Sequence, residues 1–170
     1  TVLPGGGTAV RWTHIQSPNL RQVFDPPADW SKMGMLTFRL HSAKATDAGF
    51  RLILDSENPD SDGSDYYDFP FKQDWEGWRS FRIPLGEMGK ARSPLGWQTI
   101  KSAAFTASGW GNTPHPEGVI MLADWKVSDE HHYGPALDDA AFFAALDLDL
   151  PALATVKTAV AKGDMTAAKK

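Results

Sequence analysis

The segment that decides the fold is residues 35–41, Met-Leu-Thr-Phe-Arg-Leu-His, in which large apolar side chains alternate with polar ones. A β-strand places successive side chains on opposite faces, so this period of two predicts a strand with one buried and one solvated face. Residues 50–55 (Phe-Arg-Leu-Ile-Leu-Asp) and 80–85 (Ser-Phe-Arg-Ile-Pro-Leu) repeat the pattern. Each of these segments therefore predicts a strand that covers a core with one face.

The same alternation of apolar and polar residues continues on both sides of these segments, up to about residue 130. Short alternating stretches are separated by clusters of Gly, Pro, Asp, Asn and Ser, which is typical of sandwiches and barrels. The predicted strands lie near residues 8–14, 35–41, 50–55, 66–71, 78–84, 100–107 and 119–127. We therefore expect residues 1–130 to form an all-β domain, a β-sandwich of the jelly-roll type.

The composition changes in residues 131–170, where Ala, Leu and Asp dominate. Asp138 and Asp139 stand where negative charge complements a helix N-terminus, and Pro151 suits the first turn of a second helix. A third helix would begin at Asp164 and end after one or two turns, too short to be stable alone. We therefore expect a linker and the first helices of a truncated α-helical domain, a short C-terminal extension of a polypeptide that continues.

Charge and composition exclude several functional classes. The chain has 17 Lys and Arg against 21 Asp and Glu, a net charge of -4, and its basic residues are scattered, which argues against nucleic acid as a partner. It has no cysteine and no apolar run near the roughly 20 residues of a membrane span. No phosphate-binding loop, nucleophile elbow or zinc-protease helix is found, so we assign no catalytic residue and expect this chain not to be an enzyme.

Aromatic residues are abundant, with seven Trp and nine Phe. An indole face can fill a sandwich core or stack on the apolar C–H face of a sugar ring. Trp75, Trp78 and Trp110 lie close to glycines, so we expect these indoles to be exposed and to form a sugar platform. Tyr67 is expected nearby.

Cations occupy the polar positions of the predicted strands. The guanidinium fork of Arg matches carboxylates and sulfates, so cations beside aromatic faces suit an acidic polysaccharide. This requires the strands to lie in one sheet; the alternative is scattered surface charge whose stems cover apolar neighbours. The predicted ligand-binding set is Trp110, Trp78, Trp75, Tyr67, Arg39, Arg51, Arg82 and Lys101.

No cofactor is required, but a structural calcium ion has two candidate sites. Residues 57–65 are rich in Asp around Gly63, as calcium loops are, although hairpin turns use Asp-Gly for conformational reasons alone. Asp124 interrupts the apolar segment 119–125, where a buried carboxylate needs a cation or hydrogen-bond donors. A solvent-facing Asp124 is the alternative.

Two segments resemble known families. Residues 75–85, Trp-Glu-Gly-Trp-Arg-Ser-Phe-Arg-Ile-Pro-Leu, followed by Gly96-Trp97, resemble galactose-binding-like jelly-roll modules, which are carbohydrate-binding modules attached to polysaccharide-degrading enzymes. Residues 147–157, with the pattern D-x-P-x-L-x-x-V-K from Asp149 to Lys157, and then Gly163-Asp164, are similar to the opening of heparinase II/III-type polysaccharide lyases.

These resemblances imply an accessory role. The lyase family cleaves uronic-acid polysaccharides with Tyr, His, Asn and Arg residues of its helical toroid and following sheet, and none of those positions falls in this chain. The resemblance therefore implies a non-catalytic module that binds an acidic polysaccharide such as alginate or a glycosaminoglycan. It also implies a C-terminal catalytic domain of the same polypeptide as partner, and a secreted or periplasmic bacterial location.

Two alternatives stay open from the sequence. The domain could be structural, packing on the lyase toroid without affinity for glycans. The chain could also be a small lyase in itself, with a cleft that pairs His14, His41 or His115 with Tyr66 or Tyr67, although their spacing matches no known pattern.

Overall fold

The computed structural model describes residues 8–130, which form two antiparallel β-sheets packed face to face. The nine strands are β1 (Val10–Thr13), β2 (Asn19–Ala28), β3 (Met35–Ser42), β4 (Gly49–Asp55), β5 (Tyr66–Lys72), β6 (Gly77–Pro84), β7 (Gly89–Ala91), β8 (Ile100–Thr106) and β9 (Val119–Ser128). Two single turns of 3₁₀-helix, Leu85–Glu87 and Trp97–Thr99, lie in the connections. The predicted all-β jelly-roll sandwich is confirmed, whereas the predicted helices lie outside the described residues.

One sheet has four strands in the order β1-β9-β3-β6. Its central strand β3 buries Leu36, Phe38 and Leu40 and turns the alternate residues outward, as the period of two predicts. The register pairs Arg39 with Ser80 and places His41 opposite Trp78, so the polar sides of β3 and β6 form one outer face.

The other sheet has five strands in the order β2-β8-β4-β5-β7. Strand β4 buries Phe50, Leu52 and Leu54, while Arg51 points to the outer face with its register neighbours Thr106 and Pro70. Because β3 and β4 belong to different sheets, their polar residues lie on opposite sides of the sandwich.

Aromatic rings fill the layer between the sheets. Phe50 stacks on Phe71 with ring centroids 5.0 Å apart, and Phe38 stacks on Trp125 at 5.4 Å. Phe105 meets Phe38 edge to face at 5.5 Å. Each fully buried ring of this kind contributes about 1.5–3 kcal/mol of transfer free energy, so this layer is the main source of stability.

All seven predicted strands are present, with bounds shifted by one to two residues, and two strands were missed. Strand β2 contains Pro26 and Pro27, which argue against a strand, but it is an edge strand with a register irregularity between Val23 and Ala28, where proline is tolerated. Strand β7 has three residues, too few for alternation to be visible.

Within residues 8–130, no helix has the length and apolarity that crossing a membrane requires.

His14 is a buried titratable group at the end of β1. Its ring lies 4.4 Å from that of Trp12, and within residues 8–130 neither ring nitrogen has a hydrogen-bond partner. Burial, and secondarily the charge of His115, lowers the pKa of His14 from 6.5 to about 4. The folded domain therefore holds this imidazole neutral under conditions in which the unfolded chain protonates it.

This shift predicts acid destabilisation. Between pH 6.5 and 4 the unfolded state binds a proton that the folded state does not, so His14 alone lowers the free energy of unfolding by about 3 kcal/mol over that range. Urea unfolding followed by tryptophan fluorescence should show a steeper loss for the wild type than for His14→Phe. Carboxylates titrate in both proteins, so parallel pH profiles would contradict the prediction.

Candidate functional site

The predicted ligand-binding residues are divided between the two outer faces. Arg39, Trp78 and Arg82 lie on β3 and β6 of the four-stranded sheet, while Arg51 lies on β4 of the five-stranded sheet. The hypothesis that all four share one surface is therefore wrong, because sheet membership separates them. One face instead combines Trp78 with Arg39 and Arg82, and the other places Arg51 next to Trp110.

Two of the predicted platform aromatics belong to the core. Trp75 is only 7% exposed, donates from Nε1 to the carbonyl of Gly77 at 3.2 Å, and is covered by the guanidinium of Arg79. Tyr67 is 4% exposed and stacks on Trp97 with centroids 3.9 Å apart. The expectation that Trp75 would be exposed is wrong, and the buried rings of Trp75 and Tyr67 leave neither face free to stack on a ligand.

Lys101 is solvent-exposed but lies away from Arg51. On β8, Ser102 and Thr106 face the same side as Asp55 and Arg51, their register partners on β4. Lys101 alternates with Ser102 and so points to the other side of the strand. It does not join the surface on which it was predicted.

Trp110 is held out of the core by a tight turn. Asn112 donates its backbone N–H to the carbonyl of Gly109 at 2.8 Å, and the two central residues, Trp110 and Gly111, have φ of 52° and 83°. A non-glycine residue in this region costs on the order of 1–3 kcal/mol, and such strain is concentrated at functional positions. The turn leaves the indole 49% exposed.

Gly49 lets this turn dock on the sheet. A Cβ at position 49 would collide with the side-chain amide of Asn112, so glycine is the residue that admits this close approach. The turn is thus fixed against β4 at one end, and Trp110 is positioned by backbone geometry as well as by its own contacts.

Three side chains surround the Trp110 indole. The guanidinium of Arg51 lies 5.4 Å from the ring centroid, and the ring of Tyr66 meets the indole edge-on at 5.8 Å. Asp68, diagonally across on β5, forms an ion pair with Arg51. We call Trp110, Arg51, Tyr66 and Asp68 the Trp110 cluster; it provides an apolar ring, guanidinium donors, a hydroxyl and carboxylate acceptors.

A second ion pair lies on the same face. Arg21 of β2 pairs with Asp55 of β4, and Ser102 between them accepts from Nε of Arg21 at 3.1 Å and donates to Asp55. Ile53 and Ala104 lie between the two ion pairs by register. The outer face of the five-stranded sheet therefore has a short apolar centre with donors and acceptors on both sides.

Trp78 has a similar environment on the opposite face. It is 37% exposed, the guanidinium of Arg39 lies 5.0 Å from its ring centroid, and His41 meets it at 5.2 Å with planes inclined by 67°. Asp124 forms an ion pair with Arg39. We call Trp78, Arg39, His41 and Asp124 the Trp78 cluster. Further along β6, Arg82 pairs with Glu130 at 2.6 Å.

At both candidate calcium sites, a carboxylate already has partners within the protein. Asp124 occupies a bulge of β9 at a φ of 55°, points to solvent and holds Arg39. Asp65 is buried, and the N–H of Ser93 at 2.8 Å lowers its pKa, with further donation by Ser61 and Asn58. Calcium would need several oxygen ligands together and would compete with these partners, and calcium binding stays a prediction. Residues 8–130 contain no group of three or more ligating side chains.

Three residues of the hypothetical lyase cleft, His14, His41 and Tyr66, are separated. His14 is in the core, and His41 and Tyr66 lie on opposite outer faces. No two of these three groups are placed to act on one substrate.

The predicted ligand-binding set lacked Tyr66, Arg21, Asp55 and Asp68. A period of two places Tyr67, Phe69 and Phe71 on the core side of β5 and Tyr66 on its outer side. The exposure of Tyr66 could therefore have been predicted from the sequence. Arg21 was missed because β2 was not predicted, and the carboxylates because their pairing depends on strand order.

The two tryptophan environments predict opposite responses to truncation. Trp75→Ala removes a buried indole and should lower the free energy of unfolding by about 3–5 kcal/mol. Trp110→Ala removes a half-exposed one and should change it by about 1 kcal/mol or less. Urea unfolding of the two variants measures both, and losses of equal size would contradict the assignment of Trp75 to the core and Trp110 to the surface.

Comparison with known proteins relates this architecture to one kind of module. No family model matches the chain, and no curated protein matches it in sequence. A family 11 carbohydrate-binding module from Clostridium thermocellum, solved in complex with a β-1,3-1,4-mixed-linked tetrasaccharide, superposes with a TM-score of 0.51 at 16% identity over 65% of this chain. The family 11 module of the cellulosomal cellulase Lic26A-Cel5E from the same organism superposes with a TM-score of 0.51 at 18% identity over 67% of this chain.

The chain spans 66% of the first module, just under two thirds of its length, and 69% of the second. At these identities the similarity shows a common fold. The described residues therefore have the β-sandwich fold of these carbohydrate-binding modules.

Proposed function

We propose that this chain is a carbohydrate-binding module that holds a polysaccharide on the outer face of its five-stranded sheet, with Trp110 as the stacking platform. The observation that carries the proposal is the Trp110 turn. It keeps an indole half-exposed at a positive φ while Arg51 and Tyr66 fix its orientation. A large apolar ring kept in solvent at a cost in strain is expected where a ligand covers it.

The surrounding groups suit sugar hydroxyls. A pyranose presents an apolar C–H face, which stacks on an indole, and a rim of hydroxyls that both donate and accept. The Arg51–Asp68 and Arg21–Asp55 pairs provide guanidinium donors beside carboxylate acceptors in fixed geometry. Side chains that are already ordered lose less entropy when a ligand binds.

The related folds support the same class of ligand. One of the two similar modules was solved with a β-1,3-1,4-mixed-linked tetrasaccharide. This shows what that module binds, and it makes a neutral β-glucan the first polymer to test with this chain.

An acidic polysaccharide such as alginate or a glycosaminoglycan remains the prediction from sequence. It requires Arg51 or Arg21 to exchange its protein carboxylate for one of the ligand. Four arginines of the outer faces, Arg21, Arg39, Arg51 and Arg82, each hold a carboxylate of the protein. A fifth, Arg11 of β1, is exposed on the face of the four-stranded sheet and takes part in none of the ion pairs within residues 8–130. On the proposed face, that of the five-stranded sheet, both Arg21 and Arg51 are paired, which favours a neutral polymer because an ion-paired guanidinium attracts a polyanion less than a free one does.

The wider context is also part of the proposal. A role as the accessory module of a polysaccharide lyase, with a catalytic domain of the same polypeptide as partner and a secreted or periplasmic location, rests on the resemblance of residues 147–164. Residues 131–170 lie outside the described part of the chain. The alternative of a structural domain without glycan affinity is decided by a binding measurement.

Affinity electrophoresis tests the proposal. The chain is run through gels containing β-1,3-1,4-glucan, alginate or chondroitin sulfate, with and without chelator. We expect retardation by one of these polymers, and we expect Trp110→Ala to weaken it at least about tenfold, equivalent to about 1.4 kcal/mol. Ile15→Ala removes an exposed apolar side chain outside both clusters and should leave retardation unchanged.

Asp68→Asn distinguishes the ligand classes, since it frees Arg51 from its partner. If the ligand is acidic, Asp68→Asn should strengthen retardation by alginate. If sugar hydroxyls bind to the Arg51–Asp68 pair, the same change should weaken retardation by the glucan. Only binding to an acidic polymer should decline as salt is raised. Unchanged mobility in every gel would favour the structural domain instead.

A further inference from the structure

The two outer faces carry the same arrangement of groups. In the Trp110 cluster an indole lies against a guanidinium at 5.4 Å and an edge-on aromatic ring at 5.8 Å. In the Trp78 cluster the corresponding separations are 5.0 Å and 5.2 Å. Each Arg is held by a carboxylate, Asp68 in one cluster and Asp124 in the other.

We infer that the Trp78 cluster is a second glycan-binding site, so that one module binds two polysaccharide chains on opposite sides of the sandwich. The inference rests on the proposed function, since it assigns the same ligand class to the second cluster. The two sites lie on different sheets, and neither contributes a residue to the other.

Local backbone geometry presents the Trp78 cluster to solvent. Gly77, at a φ of 81°, begins β6 between the buried Trp75 and the exposed Trp78. On the other side of β3, a bulge of β9 opposite Phe38 puts Asp124 at a positive φ, within reach of Arg39. Bulges of this kind redirect side chains next to functional sites.

The rest of this face is suited to a hydroxylated chain. Trp78, Ser80 and Arg82 follow one another on the outer side of β6, a strip about 13 Å long at two residues per step. Thr37 and Lys126 lie beside Arg82 in the register, and Arg82 is paired with Glu130. The strip offers donors and acceptors along its length, starting from one stacking ring.

The same face is less suited to a protein partner. A stable protein interface needs a contiguous apolar patch within roughly 800 Å² of buried surface on each partner. Six large hydrophobic residues are exposed within residues 8–130, and Trp78 is the one placed on the outer side of β6. A single indole among paired charges fits a sugar ring better than an apolar protein surface.

Cross-linking tests bivalency directly, because a module with two sites joins polymer chains and a module with one does not. The 170-residue chain is mixed with soluble β-1,3-1,4-glucan or alginate, and turbidity is followed as protein is added. We expect turbidity for the wild type and for Ile15→Ala, and clear solutions for both Trp78→Ala and Trp110→Ala.

Gel retardation of the same variants separates the two proposals. Each single variant should keep weakened retardation from its remaining site, and the double variant should migrate freely.

If Trp110→Ala alone migrates freely, the second site is disproved while the proposed function stands. If Trp78→Ala migrates freely and Trp110→Ala is unaffected, the proposed Trp110 site is disproved along with bivalency. Turbidity that persists in Trp78→Ala would also overturn the inference, and thermal melting confirms that each variant is folded.

Discussion

The aromatic layer between the sheets is the constraint on which the rest of the structure depends. Phe38, Phe50, Phe71 and Phe105 contact one another through ring centroids 5.0–6.2 Å apart, and they come from both sheets. Because a strand alternates its side chains, committing these residues to the interior commits their neighbours to the outside. The core therefore determines that Arg39 and Arg51 are exposed. The proposed binding residues occupy the strand positions that do not face the core.

The same alternation explains how much of the fold the sequence revealed. It identified seven strands because each has at least one run of apolar residues at a period of two. It missed β2, where Pro26 and Pro27 lie on a sheet edge, and β7, where three residues give no pattern. Both missed strands lie at sheet edges. Because their inner faces are less buried there, the alternation of apolar and polar residues is weak.

The candidate site was predictable only in its local parts. Trp110 follows from the glycines on either side of it, since they permit a tight turn that projects a side chain. The same argument failed for Trp75, because Gly77 turns the chain between a buried indole and an exposed one. Which arginine meets which tryptophan depends on sheet membership, a long-range property that no local spacing records. Arg39 and Arg51 look alike in sequence and lie on opposite sides of the protein.

The ion pairs have more to do with orientation than with stability. Pairs as exposed as Arg39–Asp124 contribute roughly 0–1 kcal/mol, so they do little to hold the sandwich together. What they do is fix a flexible arginine at 5.0–5.4 Å from an indole centroid on both faces. A guanidinium held in this way packs against the indole on each face. The two sheets thus carry the same local arrangement, which the packing of the core does not require and which the proposed pair of glycan-binding sites does require.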